Sequence, residues 1–212
     1  MTAATWWAYE ARRCGRQAVV LPVLAALLAY VAYAAGPGAG MLLGRTLLSC
    51  ALPAATALAC AAVVVREPSP ELHLSLPTPY PLTVARRLSW PATVTAAVAP
   101  ALVTLLNLTG GHSVDTGTVL LELAGLTVLL SGAAVWATAR SGSAAPATGL
   151  VVAAVLAKLL LIDHVLPDGT GRALPELVVG ALLTARALKA LEPGARLGRG
   201  SDAYGTDGGS DG

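Results

Sequence analysis

The sequence predicts an all-α fold: a polytopic membrane helix bundle of about six transmembrane helices, with an N-terminal interfacial helix and both termini in the cytoplasm. Of its 212 residues, 55% are hydrophobic and only 12% are charged, whereas a soluble domain carries about 25% charged residues. A water-soluble globule of this size needs a polar surface, and a lipid bilayer removes that need. A membrane helix takes about 20 mostly apolar residues, and six stretches meet this requirement to varying degrees: 17–35, 43–65, 88–108, 118–139, 146–165 and 175–191.

The six stretches are bounded by turn-forming or charged residues. The first ends at the Gly-Pro-Gly sequence 36–38 and the second at the Arg-Glu-Pro sequence 66–68. The sixth is the least apolar, because Arg186 and Lys189 enter its last turns. Several stretches contain proline, which membranes tolerate because neighbouring helices satisfy the freed backbone groups: Pro22, Pro53, Pro91 and Pro100.

Loop charges predict the orientation of the bundle. Cytoplasmic loops carry an excess of Lys and Arg. With the N-terminus inside, only Arg45 and Arg172 lie on the outer side, and Lys158 lies within the fifth span. Removing any one span would scramble the bias. The inner side then holds Arg12, Arg13, Arg16, Arg66, Arg86, Arg87, Arg140, Arg196 and Arg199, and Arg186 and Lys189 can snorkel to it.

The two ends of the chain lie outside the predicted membrane domain of 17–191. In residues 1–16, Trp6, Tyr9 and Arg13 share one helical face, which predicts a helix in the inner interface. The alternative is an irregular tail with aromatic-belt residues. The Gly-, Ser- and Asp-rich tail 192–212 is predicted to be disordered.

The first span also resembles a signal peptide, but its apolar run exceeds the usual length of about 7–15 residues.

The predicted inner loop 66–87 is long and partly apolar. It contains Glu71, Leu72, His73, Leu74, Ser75 and Leu76, which could form a short helix, followed by prolines and then by Arg86 and Arg87. A plain connector would be short and polar. The leucines could dock on the bundle's own helices or on a soluble partner, and we favour the partner.

Two charges fall inside predicted spans. Glu122 lies near the outer end of the fourth span and Lys158 near the outer end of the fifth. A charge at the centre of a bilayer costs about 2.5–3.5 kcal/mol on insertion scales. We therefore predict an ion pair between Glu122 and Lys158. The alternative is that each side chain snorkels separately to the outer headgroups.

Several function classes are excluded or disfavoured. The net charge of +2 provides no basic field for nucleic acid, and the chain has no phosphate-binding loop for ATP. Its three cysteines lack metal spacing and are predicted to be free thiols. Asp163-His164 suggests proton or metal chemistry, but a histidine at a membrane edge is more often an interfacial polar residue. We predict no cofactor, no metal site and no catalytic residues.

The layout resembles the permease subunit of ABC-2 type ATP-binding cassette transporters. The residues that carry the resemblance are the acidic-then-basic sequence Tyr9–Arg13 before the first span and the loop 66–87 between spans two and three. In that family, the equivalent loop carries a coupling helix that docks on an ATPase. The resemblance implies that Glu71–Leu76, with Arg86 or Arg87, would contact a separate ATPase subunit. It also implies a second permease subunit, identical or homologous, in a bacterial inner membrane.

Two other classes of function stay open. One is a non-transporting membrane scaffold or immunity protein, which would leave a partner's ATPase turnover unchanged. The other is an intramembrane enzyme using Glu122, Asp163 or His164, which would be active as the purified chain alone.

Overall fold

The computed structural model describes residues 15–35, 39–65, 80–110, 115–162 and 170–190. The described residues are almost entirely helical and contain no strand. We label the helices α1 to α6 in chain order. They are α1 (Gln17–Ala34), α2 (Ala39–Val65), α3 (Tyr80–Gly110), α4 (Thr116–Ser141), α5 (Ala145–Ala157), which continues into a π-helical turn Lys158–Ile162, and α6 (Thr170–Ala190).

Among the described residues, four helical segments are long and apolar enough to cross a membrane, which is consistent with the helical bundle of a multi-pass membrane protein. They are Gln17–Ala34, Thr46–Val65, Leu82–Thr109 and Thr116–Ser141. The fifth predicted span corresponds to the shorter apolar helix Ala145–Leu160, and the sixth to α6, whose acidic and basic residues keep it out of this group. The count of six and the placement of the termini stay predictions.

Proline does not interrupt these helices. α1 runs through Pro22, α2 through Pro53, and α3 through Pro91 and Pro100. The expectation that the bundle tolerates proline is confirmed. The predicted interfacial helix of 1–16, apart from its last two residues, and the tail 192–212 lie outside the described residues.

Three apolar clusters follow one another along the bundle. The first joins α1, α2, α3 and α4 through residues that include Ala29, Leu52, Val103 and Leu123. The second joins α2, α4 and α5 through Ala57, Leu130 and Val151 among others. The third, which we call the basal cluster, joins α2, α3, α4 and α6 through Cys60, Val64, Val84, Val135 and Ala187.

The order of the clusters gives the direction of each helix. α2 and α4 both run from the first cluster to the basal cluster, whereas α3 runs the opposite way, from Val84 to Val103. α1 starts beside the end of α2, because Ala18 packs with Val63 and Trp90. The described helices therefore alternate in direction, as an up-and-down bundle requires.

The tightest contact joins α4 to α6. A Cβ at Gly125 would lie 2.9 Å from the Ala173 carbonyl oxygen, and one at Gly180 would lie 2.5 Å from the Leu129 backbone nitrogen. A Cβ at Gly132 would collide with the Gly180 carbonyl oxygen. The two helices run parallel, since Gly125 meets Ala173 and Gly132 meets Gly180. Small residues that let backbones approach are the main device of helix association in membranes.

A buried hydrogen bond links α2 to α3. The hydroxyls of Thr56 and Thr95 lie 2.8 Å apart, and both side chains are almost fully buried. Each hydroxyl also lies 2.9 Å from the carbonyl oxygen one turn earlier in its own helix, Leu52 or Pro91. With one proton on each hydroxyl, one threonine donates across the interface and the other donates to its own helix. Such bonds contribute about 0.6 kcal/mol on average in membrane proteins.

The glycine contact between α4 and α6 predicts a substitution with a matched control. Gly132→Ala forces the α4 and α6 backbones apart, and we expect it to destabilise the bundle by about 1–3 kcal/mol. Gly149→Ala on α5 is the control, because a Cβ there meets nothing within 4 Å and alanine favours a helix over glycine by about 1 kcal/mol. Thermal unfolding in mild detergent measures both. Equal melting temperatures for the two variants would contradict the close α4–α6 contact.

Asp115 caps the start of α4 and predicts a pH dependence. Its carboxylate accepts hydrogen bonds from the Thr118 hydroxyl and the Gly117 N–H, which lower the pKa of Asp115 from its ordinary value of 3.8. A lowered folded-state pKa gives stability that is present above the unfolded pKa and is lost as the pH falls through the folded pKa. We expect Asp115→Asn to keep the cap but to lose this acid dependence, measured as melting temperature between pH 7 and pH 3. Parallel curves for the two proteins would contradict it.

Candidate functional site

One end of the bundle collects five cationic residues of the described helices. Arg86 and Arg87 lie near the start of α3, Arg140 lies in the last turn of α4, and Arg186 and Lys189 lie in the last turns of α6. The basal cluster brings these helix ends together. We call this region the basic end. It is the end that the loop charges predict to face the cytoplasm.

The basal cluster contains residues from both ends of the chain segment that joins α2 to α3. Val64 lies next to the last residue of α2, and Val84 lies in the second turn of α3; residues 66–79 between the two helices lie outside the described residues. Both valines are buried in one apolar cluster with Val135 of α4 and Ala187 of α6. The two ends of the connection therefore belong to the same cluster as α4 and α6.

The first turns of α3 are fixed on a second side as well. Trp90 packs against Ala18 of α1 and Val63 of α2, and the Ser89 hydroxyl donates to the Arg86 carbonyl oxygen at 2.7 Å. α3 begins at Tyr80, so Arg86 and Arg87 lie on a helix that continues into the bundle. Of the predicted coupling residues, Arg86 and Arg87 are described, and Glu71, Leu72, His73, Leu74, Ser75 and Leu76 lie outside the described residues.

A cavity of about 560 Å³ opens at the basic end between the last turns of α4 and α6. The Arg140 guanidinium lies over the Trp136 ring, 5.2 Å from its centroid. Gly142 ends α4 in the left-handed conformation, with a φ of 69°, and donates its N–H to the Thr138 carbonyl oxygen. The cavity is lined by Trp136, Ala139, Arg140, Ser141, Gly142, Arg186 and Ala190.

Glu122 and Lys158 are held by different elements. Glu122 lies in the second turn of α4, and Lys158 begins the π-helical turn after α5. Because α4 and α5 form an antiparallel pair that reverses at residues 142–144, Lys158 lies at the level of about residue 128. That level is roughly 9 Å along the helix axis from Glu122. The pair therefore requires both side chains to extend along the helices, and it stays a prediction. Within the described part of the chain, Glu122 Oε1 is buried without a hydrogen-bond partner.

Sequence reasoning missed Glu176. Its Oε2 lies 3.1 Å from the position of a Cβ at Gly125, one turn from Glu122. Spacing within α6 alone could not have found this contact, because it depends on the α4–α6 register. The glycines themselves carried a signal, since Gly125 and Gly132 are seven residues apart and share one helical face.

Other candidate residues contribute no site. Asp163 and His164 lie outside the described residues. Among the residues that the structure does describe, no three His, Cys, Asp or Glu side chains are grouped so that they could hold a metal ion. Cys50 and Cys60, both buried in α2, are free thiols, as predicted.

In the part of the chain that the structure describes, these features define an all-helical bundle with four helices long and apolar enough to span a membrane and with one basic end. Comparison with protein-family models, curated proteins and solved structures finds no match to this chain.

The predicted Glu122–Lys158 pair has a direct test in detergent. If the pair forms, Glu122→Gln and Lys158→Met each leave the other charge uncompensated and lower the melting temperature. The double variant then recovers most of the loss, because neither charge remains. Additive losses would contradict the pair. A higher melting temperature for Glu122→Gln alone would identify Glu122 as an unpaired charge.

Proposed function

We propose that this chain is the membrane-spanning permease subunit of an ABC-type exporter in a bacterial inner membrane. A separate ATPase subunit would dock on the α2–α3 connection, and a second permease subunit, identical or homologous, would complete the transporter. The transporter would move an unidentified substrate. Walls rich in Ala, Val, Leu and Gly favour an amphipathic or lipid-like cargo over an ion.

The observation that carries the proposal is that both ends of the α2–α3 connection are buried in the basal cluster. Val64 and Val84, at its two ends, belong to the same buried cluster as Val135 and Ala187, which lie in the C-terminal halves of α4 and α6. An ATPase that moves the connection would therefore act on all four helices that meet in this cluster. ATP shifts such an equilibrium when it binds one ATPase arrangement better than the other.

The sequence of the connection also supports this function. Leu72, Leu74 and Leu76 would offer a soluble partner an apolar surface, and Arg86 and Arg87 follow at the start of α3. Because the chain has no phosphate-binding loop, ATP hydrolysis would take place in the partner.

Co-purification tests the docking. The chain is expressed from its native operon with a tag on the tail 192–212 and is purified in mild detergent. We expect a stoichiometric ATPase, which is lost when Leu72, Leu74 and Leu76 are all changed to Asp, because three charges replace the apolar contact surface. The control changes Ser143, Ala144 and Ala145 to Asp. It adds the same charge at the same end of the bundle, on the α4–α5 turn.

The outcomes separate the proposals. Equal loss of the ATPase from both triple variants would mean that added charge disrupts the complex wherever it is placed. If the unaltered chain is purified without any ATPase, the permease proposal is contradicted. Val84→Ala tests coupling: the ATPase should still bind, but its turnover in the complex should fall towards that of the free ATPase. A partner whose turnover the chain never changes would identify a scaffold.

A further inference from the structure

The cavity at the basic end has the chemistry of a phosphate site. Arg140 and Arg186 approach it from two different helices, and none of the described residues that line it is acidic. Guanidinium groups bind phosphate through paired, charge-assisted hydrogen bonds. Its volume of about 560 Å³ lies within the usual range of about 300–1,000 Å³ for ligand pockets.

The cations outnumber the opposing helix charges. The C-terminal ends of α4 and α6 each contribute about −0.5 charge and favour arginines near them. Arg140 and Arg186, which line the cavity, supply two positive charges. The α5 N-terminus, which starts just past Gly142 and has no side-chain cap, adds about +0.5. A positive surplus is therefore left for an anion.

Arg140 is already oriented for binding. Its guanidinium lies over the Trp136 ring, 5.2 Å from the centroid, and this cation–π contact restrains the side chain before a ligand binds. Trp136 also lies where aromatic rings concentrate, at the boundary between apolar helices and headgroups.

An apolar stripe leads along α6 to the cavity. Val178, Leu182 and Arg186 follow each other at four-residue spacing on one face of α6, and all three are exposed. An acyl chain could lie along Val178 and Leu182 while its headgroup reaches Arg186. A soluble phosphate would make no use of this stripe. Basic pockets between transmembrane helices on the cytoplasmic side bind anionic headgroups in the same way.

We propose that this cavity binds the phosphate headgroup of an anionic phospholipid from the leaflet at the basic end, held by Arg140 and Arg186. The site rests on the membrane location of the bundle and not on the permease proposal. It holds equally for a scaffold.

The test uses the full chain in neutral detergent, titrated with dioctanoyl phosphatidylglycerol and followed by native mass spectrometry and by melting temperature. We expect a bound lipid and a raised melting temperature. In the Arg140→Gln/Arg186→Gln variant, the apparent affinity should fall about tenfold or more. The matched control is Arg16→Gln/Lys189→Gln, which removes two cations from the same end without touching the cavity lining, and it should change the affinity less than about threefold.

Two further ligands distinguish the sources of phosphate. Glycerol 3-phosphate, which has the anion without acyl chains, should bind far more weakly than the lipid. Equally tight binding would assign the site to a soluble phosphate instead. Dioctanoyl phosphatidylcholine should also bind more weakly than phosphatidylglycerol. Equal binding of the two lipids would show that the apolar stripe binds the acyl chains without a contribution from the arginines.

Two results would overturn the site altogether. One is the absence of phosphatidylglycerol binding to the unaltered chain, and the other is an equal loss of affinity in the two double variants, which would indicate diffuse attraction. If the double arginine variant does not give a monodisperse protein, the single variant Arg186→Gln replaces it. Arg140 and its contact with Trp136 then remain intact, and the affinity should still fall severalfold.

Discussion

The contact between the α4 and α6 backbones at Gly132 and Gly180 determines where the other features of this bundle lie. In a membrane, helices gain little by hiding apolar side chains from one another, so association depends on close packing and on small residues. Here two glycines remove the side chains that would keep the helix axes apart. The contact also fixes the register, and so it places Ala187 in the basal cluster with Val135, and Arg186 in the cavity lining with Arg140. A different register would separate Arg140 from Arg186 and would remove Ala187 from the basal cluster.

That register links two features of the basic end that are otherwise separate. The basal cluster needs Ala187 as its α6 contribution, and the cavity needs Arg186 as its second cation. Consecutive residues of one helix turn point in different directions, so α6 presents Ala187 to the bundle and Arg186 to the membrane edge at the same level. Helix α4 does the same with Val135, which is buried, and Trp136, which borders the cavity.

Most of the helices could be predicted from the sequence because membrane spans are long apolar runs, visible without any knowledge of neighbours. The ends of α1, α2 and α4 lie within a few residues of the predicted spans. α3 begins at Tyr80 and its candidate membrane span at Leu82, rather than near Leu88, because the apolar helix continues through Arg86 and Arg87. The cavity and the position of Glu176 could not be predicted, because both depend on which helices are neighbours and in what register. No local periodicity contains that information. The coupling residues Glu71–Leu76 were chosen by resemblance and stay a prediction.

A headgroup bound between α4 and α6 would contact two of the helices that form the basal cluster, and the two ends of the α2–α3 connection lie in that cluster. Val64 and Val84 share the basal cluster with Val135 and Ala187. Arg140 and Arg186, which border the cavity, lie a few residues after Val135 and directly before Ala187. Any movement of the connection that shifts α4 relative to α6 changes the distance between the two arginines. By linkage, a lipid that prefers one distance must favour the matching position of the connection. The size of this coupling equals the lipid's difference in affinity between the two positions, so a tightly bound lipid with no preference would have no effect on a partner docked there.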